Sequence, residues 1–216
     1  MFNPAKTIVL CFEYGGADES GVDRRLVLTP AALSWVKATF PAENVFSVNI
    51  GPYLCARNAA IRDCVLPVAA DRGAEWLLSI DNDVTITHPG VENFLQAPGD
   101  VVACECPMPS PHTWSEPGAF HTPLWRCRIE VLKRIEAPWF DFVYSPDNCQ
   151  LLMCDCQYFA AKCRSAGFSV AHAGHCAHGN IGSAWWPNCH AALHPLTGQI
   201  APGAITQRLL QEGRLV

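Results

Sequence analysis

The chain has 216 residues, enough for one medium domain and too few for two independent cores. Half of the residues are apolar and only 16% are charged, which excludes an extended disordered chain and points to a packed globule. The formal charge of −5 leaves room for local basic patches but gives no support to a nucleic-acid binder held by bulk electrostatics.

Thr7 to Phe12 is an apolar run that reads as a buried strand, ended by Glu13 and the turn residues Gly15-Gly16. It is far shorter than a signal core, and no other run approaches the roughly twenty apolar residues of a membrane span, so a cytoplasmic protein is expected. Thr29-Pro30 starts a helix to about Phe40, with Thr29 as cap and Pro30 in the first helical position. Asn44 to Asn49 reads as a strand, and Cys55 to Arg72 as a helix bent by Pro67 and stopped by Gly73. Trp76 to Ile80 is a strand of the kind buried on both faces, and it runs directly into Asp81-Asn82-Asp83. Pro89 starts a short helix to Gln96, and Asp100 to Cys104 forms the next strand. Strand and helix alternate, so the expected fold is α/β, a mostly parallel central sheet flanked by helices.

The second half is less regular. Pro107 to Pro123 holds five prolines and reads as a loop. Leu124 to Arg128 is a strand, Ile129 to Glu136 a helix ending before Pro138, and Phe168 to Ala171 a last strand. Between them, Cys154 to Ala166 is a helix with Phe159, Ala160 and Cys163 on one face and Gly167 as its stop. Gly179 to Gly203 is a Trp-, Pro- and Gly-rich loop, long enough to serve as a lid.

Twelve cysteines in a reducing compartment are expected as buried thiols or metal ligands rather than disulfides. Cys104/Cys106 and Cys154/Cys156 have Cys-x-Cys spacing, and the tail adds His175, Cys176, His178, Cys189 and His190. That spacing fits a closed structural zinc site poorly, because such sites place two to four residues inside each ligand couple.

Asp81-Asn82-Asp83 is the clearest chemical signal. Ligands of an open α/β sheet sit beyond the carboxyl ends of its strands. Two carboxylates in a turn there can converge on a hard cation, which can neutralise a diphosphate. The alternative is an Asx-type turn whose side chains bond backbone amides.

The ordered set Ala56-Arg57-Asn58, the strand from Trp76, Asp81-Asn82-Asp83-Val84 and Pro89 resembles the donor-binding half of GT-A-fold glycosyltransferases. Leu132-Lys133-Arg134-Ile135, Pro138-Trp139-Phe140, Asp155 heading a helix that closes with Ala166-Gly167-Phe168, and the late His178 continue the resemblance. It covers roughly residues 7 to 182 and is nearest to family-2-like and phage-type members. It implies one GT-A-like (Rossmann-like) domain over residues 1–216, with 1–104 as the nucleotide-sugar-binding half and 105–216 as the acceptor half and candidate lid.

The resemblance further implies a transferase (a hexosyl- or pentosyltransferase) that moves a sugar from a nucleoside-diphosphate donor, by analogy a UDP-sugar, to an acceptor hydroxyl. Asp83 would bind the divalent cation, Asp81 would contact the ribose or help hold the metal, and His178 would complete the shell. A nitrogen ligand among oxygens suits manganese better than magnesium. Arg57, with Asn58 beside it, would lie along the diphosphate, and Asp155 would deprotonate the acceptor. The family usually carries Glu-Asp where this chain has Cys154-Asp155, which leaves inversion and retention both open.

A phage-type enzyme acting on hydroxymethylated DNA bases is one form of this activity, and the acceptor could equally be a glycan or small molecule. His175 would replace His178 if the late loop sits differently, and Trp185-Trp186 would either close over the sugar or dock the tail. His112, Trp114 and His121 sit in the proline-rich loop on the acceptor side. Three other readings stand beside it. One is a non-catalytic nucleotide- or metal-binding protein of this fold, and another is a structural zinc protein using the late Cys/His cluster. The third is a sugar nucleotidyltransferase, for which the segment Glu13 to Asp18 lacks the expected basic residue.

Overall fold

Continuous apolar runs become the central strands, and capping residues start and stop the helices around them. The computed structural model describes residues 1–13, 28–48, 53–82, 84–86, 88–105, 120, 122–146 and 151–178. Expectations for Gly15-Gly16, Asp83, Cys106, His112, Trp114, His121 and the segment 179–216 lie outside these residues.

Strand β1 (Thr7–Phe12) is buried along its whole length. Helix α1 (Pro30–Thr39) is capped by Thr29, whose Oγ1 accepts from the Ala32 amide at 3.1 Å and donates to the Val84 carbonyl at 2.9 Å. Strand β2 (Val45–Val48) starts one residue later than the expected Asn44, because Ala42–Asn44 is taken up in a 3-10 turn, and the expected last residue, Asn49, lies outside the described residues. Helix α2 (Tyr53–Ala60) runs through a π-helical turn, Ile61–Val65, into α3 (Leu66–Arg72). Pro67 explains that turn. It has no amide hydrogen, and its ring would strike the carbonyl four residues back. One wide turn, in which the Leu66 amide bonds to the Ile61 carbonyl, absorbs the conflict. Gly73 ends α3 in the left-handed conformation, at φ 64°.

Strand β3 (Trp76–Ile80) is followed by a short strand, β4 (Val84–Ile86), that the sequence did not signal. Helix α4 (Gly90–Gln96), strand β5 (Val101–Glu105), strand β6 (Leu124–Arg128) and helix α5 (Ile129–Arg134) come next. A small hairpin, β7 (Val143–Tyr144) with β8 (Leu151–Met153), precedes helix α6 (Asp155–Ser165). The last strand, β9 (Val170–His178), is more than twice the expected length.

The main sheet has the order β2-β1-β3-β6-β5-β9-β4. The pairs β1/β2, β1/β3 and β5/β9 are parallel, whereas β6 and the edge strand β4 run against the rest, so five of the seven strands share one direction. Side chains alternate between two cores. Ile8, Leu10, Phe12, Leu77, Trp125 and Cys127 pack with α6 residues Phe159, Ala160 and Cys163. Val9, Cys11, Leu78, Ile80 and Val102 pack on the other face with Ala32 and Val36 of α1 and Phe94 of α4. The result is a three-layer α/β fold.

Arg126 sets a charge inside these layers. Arg126 on β6 is fully buried and donates to the Phe94 carbonyl at 3.2 Å and to the Ala97 carbonyl, capping the carboxyl end of α4. The rings of Phe2 and Trp76 lie 4.8 and 5.0 Å from its guanidinium. Burial lowers its pKa to about 10, still far above neutrality.

Candidate functional site

Strand β3 delivers Asp81 to the carboxyl edge of the sheet. The Asp81 amide bonds to the Pro123 carbonyl at 2.8 Å, fixing it against the start of β6. Its carboxylate is bridged by one nitrogen of Arg57, with Nη2 2.9 Å from Oδ1 and 3.0 Å from Oδ2. The same nitrogen donates to the Thr122 carbonyl at 3.2 Å. The two side chains are 1% and 10% exposed, so this is a buried ion pair. The guanidinium also lies 5.2 and 5.4 Å from the ring centres of Phe12 and Phe140.

Asn58, the next residue on α2, fastens Phe140 in that place. Its Oδ1 accepts from the amides of Trp139 and Phe140 at 2.9 and 3.2 Å, and its Nδ2 donates to the Phe140 carbonyl at 2.8 Å. The resemblance set Arg57 along a diphosphate, Asn58 among the donor-binding residues and Asp81 at the ribose or metal. The structure joins Arg57 to Asp81 and Asn58 to the backbone at 139–140. A donor or cation reaching the first two would share each with its present partner.

Beyond Asp81, the Val84 amide bonds back to the Asp81 carbonyl at 3.3 Å, so the chain turns back between these two residues. The β4/β9 ladder then sets Val84 opposite His178. Thus Val84, the chain neighbour of Asp83, and the backbone of the late histidine, remote in sequence, meet along one ladder. Asp83 lies outside the described residues, and His178 is described by its backbone alone. His172 and His175 share β9, opposite Ala103 and Glu105, and the ring of His172 meets Phe120 edge-on at 6.2 Å.

Helix α6 opens onto the same edge. Strand β9 begins at the amino edge of the sheet just after α6 turns at Gly167, so the start of α6 lies at the carboxyl edge. Asp155 is its first residue, only 5% exposed. Its Oδ1 accepts from Cys156 Sγ at 3.3 Å, and its Oδ2 has no hydrogen-bond partner. Thr122 connects this helix to the ion pair. Its carbonyl takes Arg57, while its hydroxyl donates to Cys156 Sγ at 3.5 Å. A polar path therefore runs Asp81–Arg57–Thr122–Cys156–Asp155. The sequence reading missed Thr122, which works through a main-chain oxygen and a hydroxyl in a segment without periodic pattern.

Cys154 occupies the N-cap position without a side-chain capping bond. The neighbouring Cys156 thiol, aided by the amides of Gln157 and Cys156, brings its pKa down to about 7 against the opposing effects of burial and Asp155. The sulfurs of Cys154 and Cys156 and a carboxylate oxygen of Asp155 all lie within 4.8 Å of one another. By contrast, burial pushes the Cys11 and Cys163 thiols up to about 12. None of the nine described cysteines is in a disulfide.

The described residues thus form a Rossmann-like α/β fold whose carboxyl edge carries a buried ion pair and a buried carboxylate. Among solved structures, the chain is similar to A197 from STIV, at 14% identity over 79% of this chain and 80% of that one, with a TM-score of 0.44. It is also similar to a protein of Desulfovibrio desulfuricans G20 provisionally named a nucleotide-diphospho-sugar transferase, at 12% identity over 98% and 96% of the two chains, with a TM-score of 0.40. No family model and no curated protein matches. Likenesses this remote carry no functional assignment. Among the described residues, no helix is long and apolar enough to cross a membrane.

Proposed function

We propose that the protein is a metal-dependent glycosyltransferase, moving a sugar from a nucleoside-diphosphate donor to an acceptor hydroxyl. The observation that supports this most is the β4/β9 ladder, which sets the backbone of His178 opposite Val84, the chain neighbour of Asp83. Two carboxylates and an imidazole form a donor set that fits manganese better than magnesium. Asp83 and His178 would hold the cation, with Asp81 beside them. Bound there, it would offset the negative charge that builds on the departing diphosphate, of which UDP is the first choice to test.

Arg57 helps to offset that charge from the protein side, while Asp81 keeps its guanidinium at the edge of the sheet. Asp155 accepts the acceptor hydroxyl's proton as the oxygen bonds to the anomeric carbon. The bond from that carbon to the diphosphate breaks, and its electron pair leaves with the nucleoside diphosphate. Asp155 suits this work because it is buried at the sheet edge with one oxygen unengaged.

The closed Arg57–Asp81 pair favours a second reading, a non-catalytic nucleotide- or metal-binding protein of the same fold. One experiment separates them. Nucleotide sugars are screened with manganese for release of nucleoside diphosphate, in the wild type and in Asp155→Asn. Release by the wild type, with transfer lost and donor binding kept in Asp155→Asn, supports the transferase. No release from any donor supports the binding protein, and full activity in Asp155→Asn removes Asp155 as the base.

A further inference from the structure

The start of α6 places two thiols and a carboxylate around one point. We infer that Cys154, Asp155 and Cys156 form a site for a thiophilic divalent cation of the zinc class, separate from the one at Asp83.

The three ligand atoms lie within 4.8 Å of one another, and two sulfurs on a tetrahedral zinc stand about 3.8 Å apart at ordinary Zn–S lengths. Small rotations of side chains in the first helical turn therefore close the set. The buried carboxylate is the second indication. Asp155 Oδ2 lacks a hydrogen-bond partner in a residue that is only 5% exposed, and a cation supplies what that oxygen lacks. The surroundings suit the charge. Two thiolates and a carboxylate carry three negative charges, of which a dication cancels two. The amino end of α6, an eleven-residue helix, and the Thr122 hydroxyl on Cys156 Sγ ease the remainder.

Three protein ligands leave a fourth position open, unlike a closed structural zinc site. The Cys-x-Cys spacing that fits paired ligand couples poorly is here completed by the residue between the two cysteines. One consequence rests on the proposed transferase reading: a cation on Asp155 occupies the base, so zinc stops transfer and leaves donor binding intact.

The full chain is titrated with cobalt(II) as a spectroscopic probe of zinc, following the thiolate-to-metal charge-transfer band. The expected result is one equivalent bound, displaced by zinc, and lost in Cys154→Ser and in Cys156→Ser but kept in Cys55→Ser. A second measurement does not depend on the variants folding. The wild type is alkylated with iodoacetamide with and without equimolar zinc, and each cysteine is read by mass spectrometry. Among the twelve cysteines, protection should fall on Cys154 and Cys156. No cobalt band, a band undiminished in both serine variants, or protection only at other cysteines would overturn the site. None of these readouts needs transferase activity, so failure of the transferase reading alone leaves them unaffected.

Discussion

Burial takes the charges of Arg57 and Asp81 out of water, and their bonds offset that loss only while both are present. Asp81→Ala leaves the guanidinium between Phe12, Phe140 and the Thr122 carbonyl without its carboxylate. The expected loss is about 3–5 kcal/mol in a urea titration, and Arg57→Met with Asp81→Ala should cost less than the sum of the single changes. Asp100 gives the clearest pH dependence. Its Oδ2 accepts from the Ser169 hydroxyl at 2.7 Å and amide at 3.0 Å, and these bonds, with Arg128, lower its pKa. A lowered carboxyl pKa stabilises the fold above the unfolded value of about 3.9, and that stability fades as pH falls through the folded value. The stability gap between wild type and Asp100→Asn should therefore narrow below about pH 4; a gap constant with pH would contradict this. Asp81 and Asp155 were legible in the sequence, since each carboxylate follows a strand or starts a helix. The partner that Arg57 would choose was not legible, because the nearest anion is set by the packing of α2 on β3.

The same contrast holds for the elements. Strands β1, β3 and β6 match their expected spans; β1 and β3 are largely apolar runs buried along their whole length, a strong signal, whereas β6 carries Arg126 and Arg128 among its apolar residues. Strand β9 does not match its expected span, since Ala-His-Ala-Gly-His-Cys has few of the branched and aromatic residues that mark strands. Its extended state is imposed by the ladders to β5 and β4. Gly174 shows how tightly it is held. At φ 67° it passes so close to α4 that a Cβ would lie 1.9 Å from the Gly90 carbonyl oxygen. Gly73 has nearly the same φ, 64°, but open space around it. Backbone strain without any clash should therefore appear at Gly73, where Gly73→Ala costs about 1–2 kcal/mol. Gly174→Ala should cost about 3 kcal/mol or more, because the backbone of β9 or α4 must move. Equal urea midpoints for the two variants would contradict this packing.

Across the whole molecule, the carboxyl edge gathers α6, the Arg57–Asp81 pair and the β4/β9 ladder into one place. The α/β order was readable because helix and strand periods alternate. The convergence on that edge was readable only in part, since β4 is three residues long and its ladder to β9 joins distant segments. A chain of net charge −5 repels a nucleoside diphosphate at long range, so a cation should be needed for its binding. The most direct measurement is the melting temperature with manganese and UDP, alone and together, in wild type and in Asp83→Ala. Together at about a hundred times the dissociation constant they should add about 2.7 kcal/mol, a rise of about 5–10 °C for a chain of this size. In Asp83→Ala that joint rise should vanish. A rise undiminished in the variant, or no joint rise in the wild type with any nucleoside diphosphate, would contradict a cation-held diphosphate at this edge.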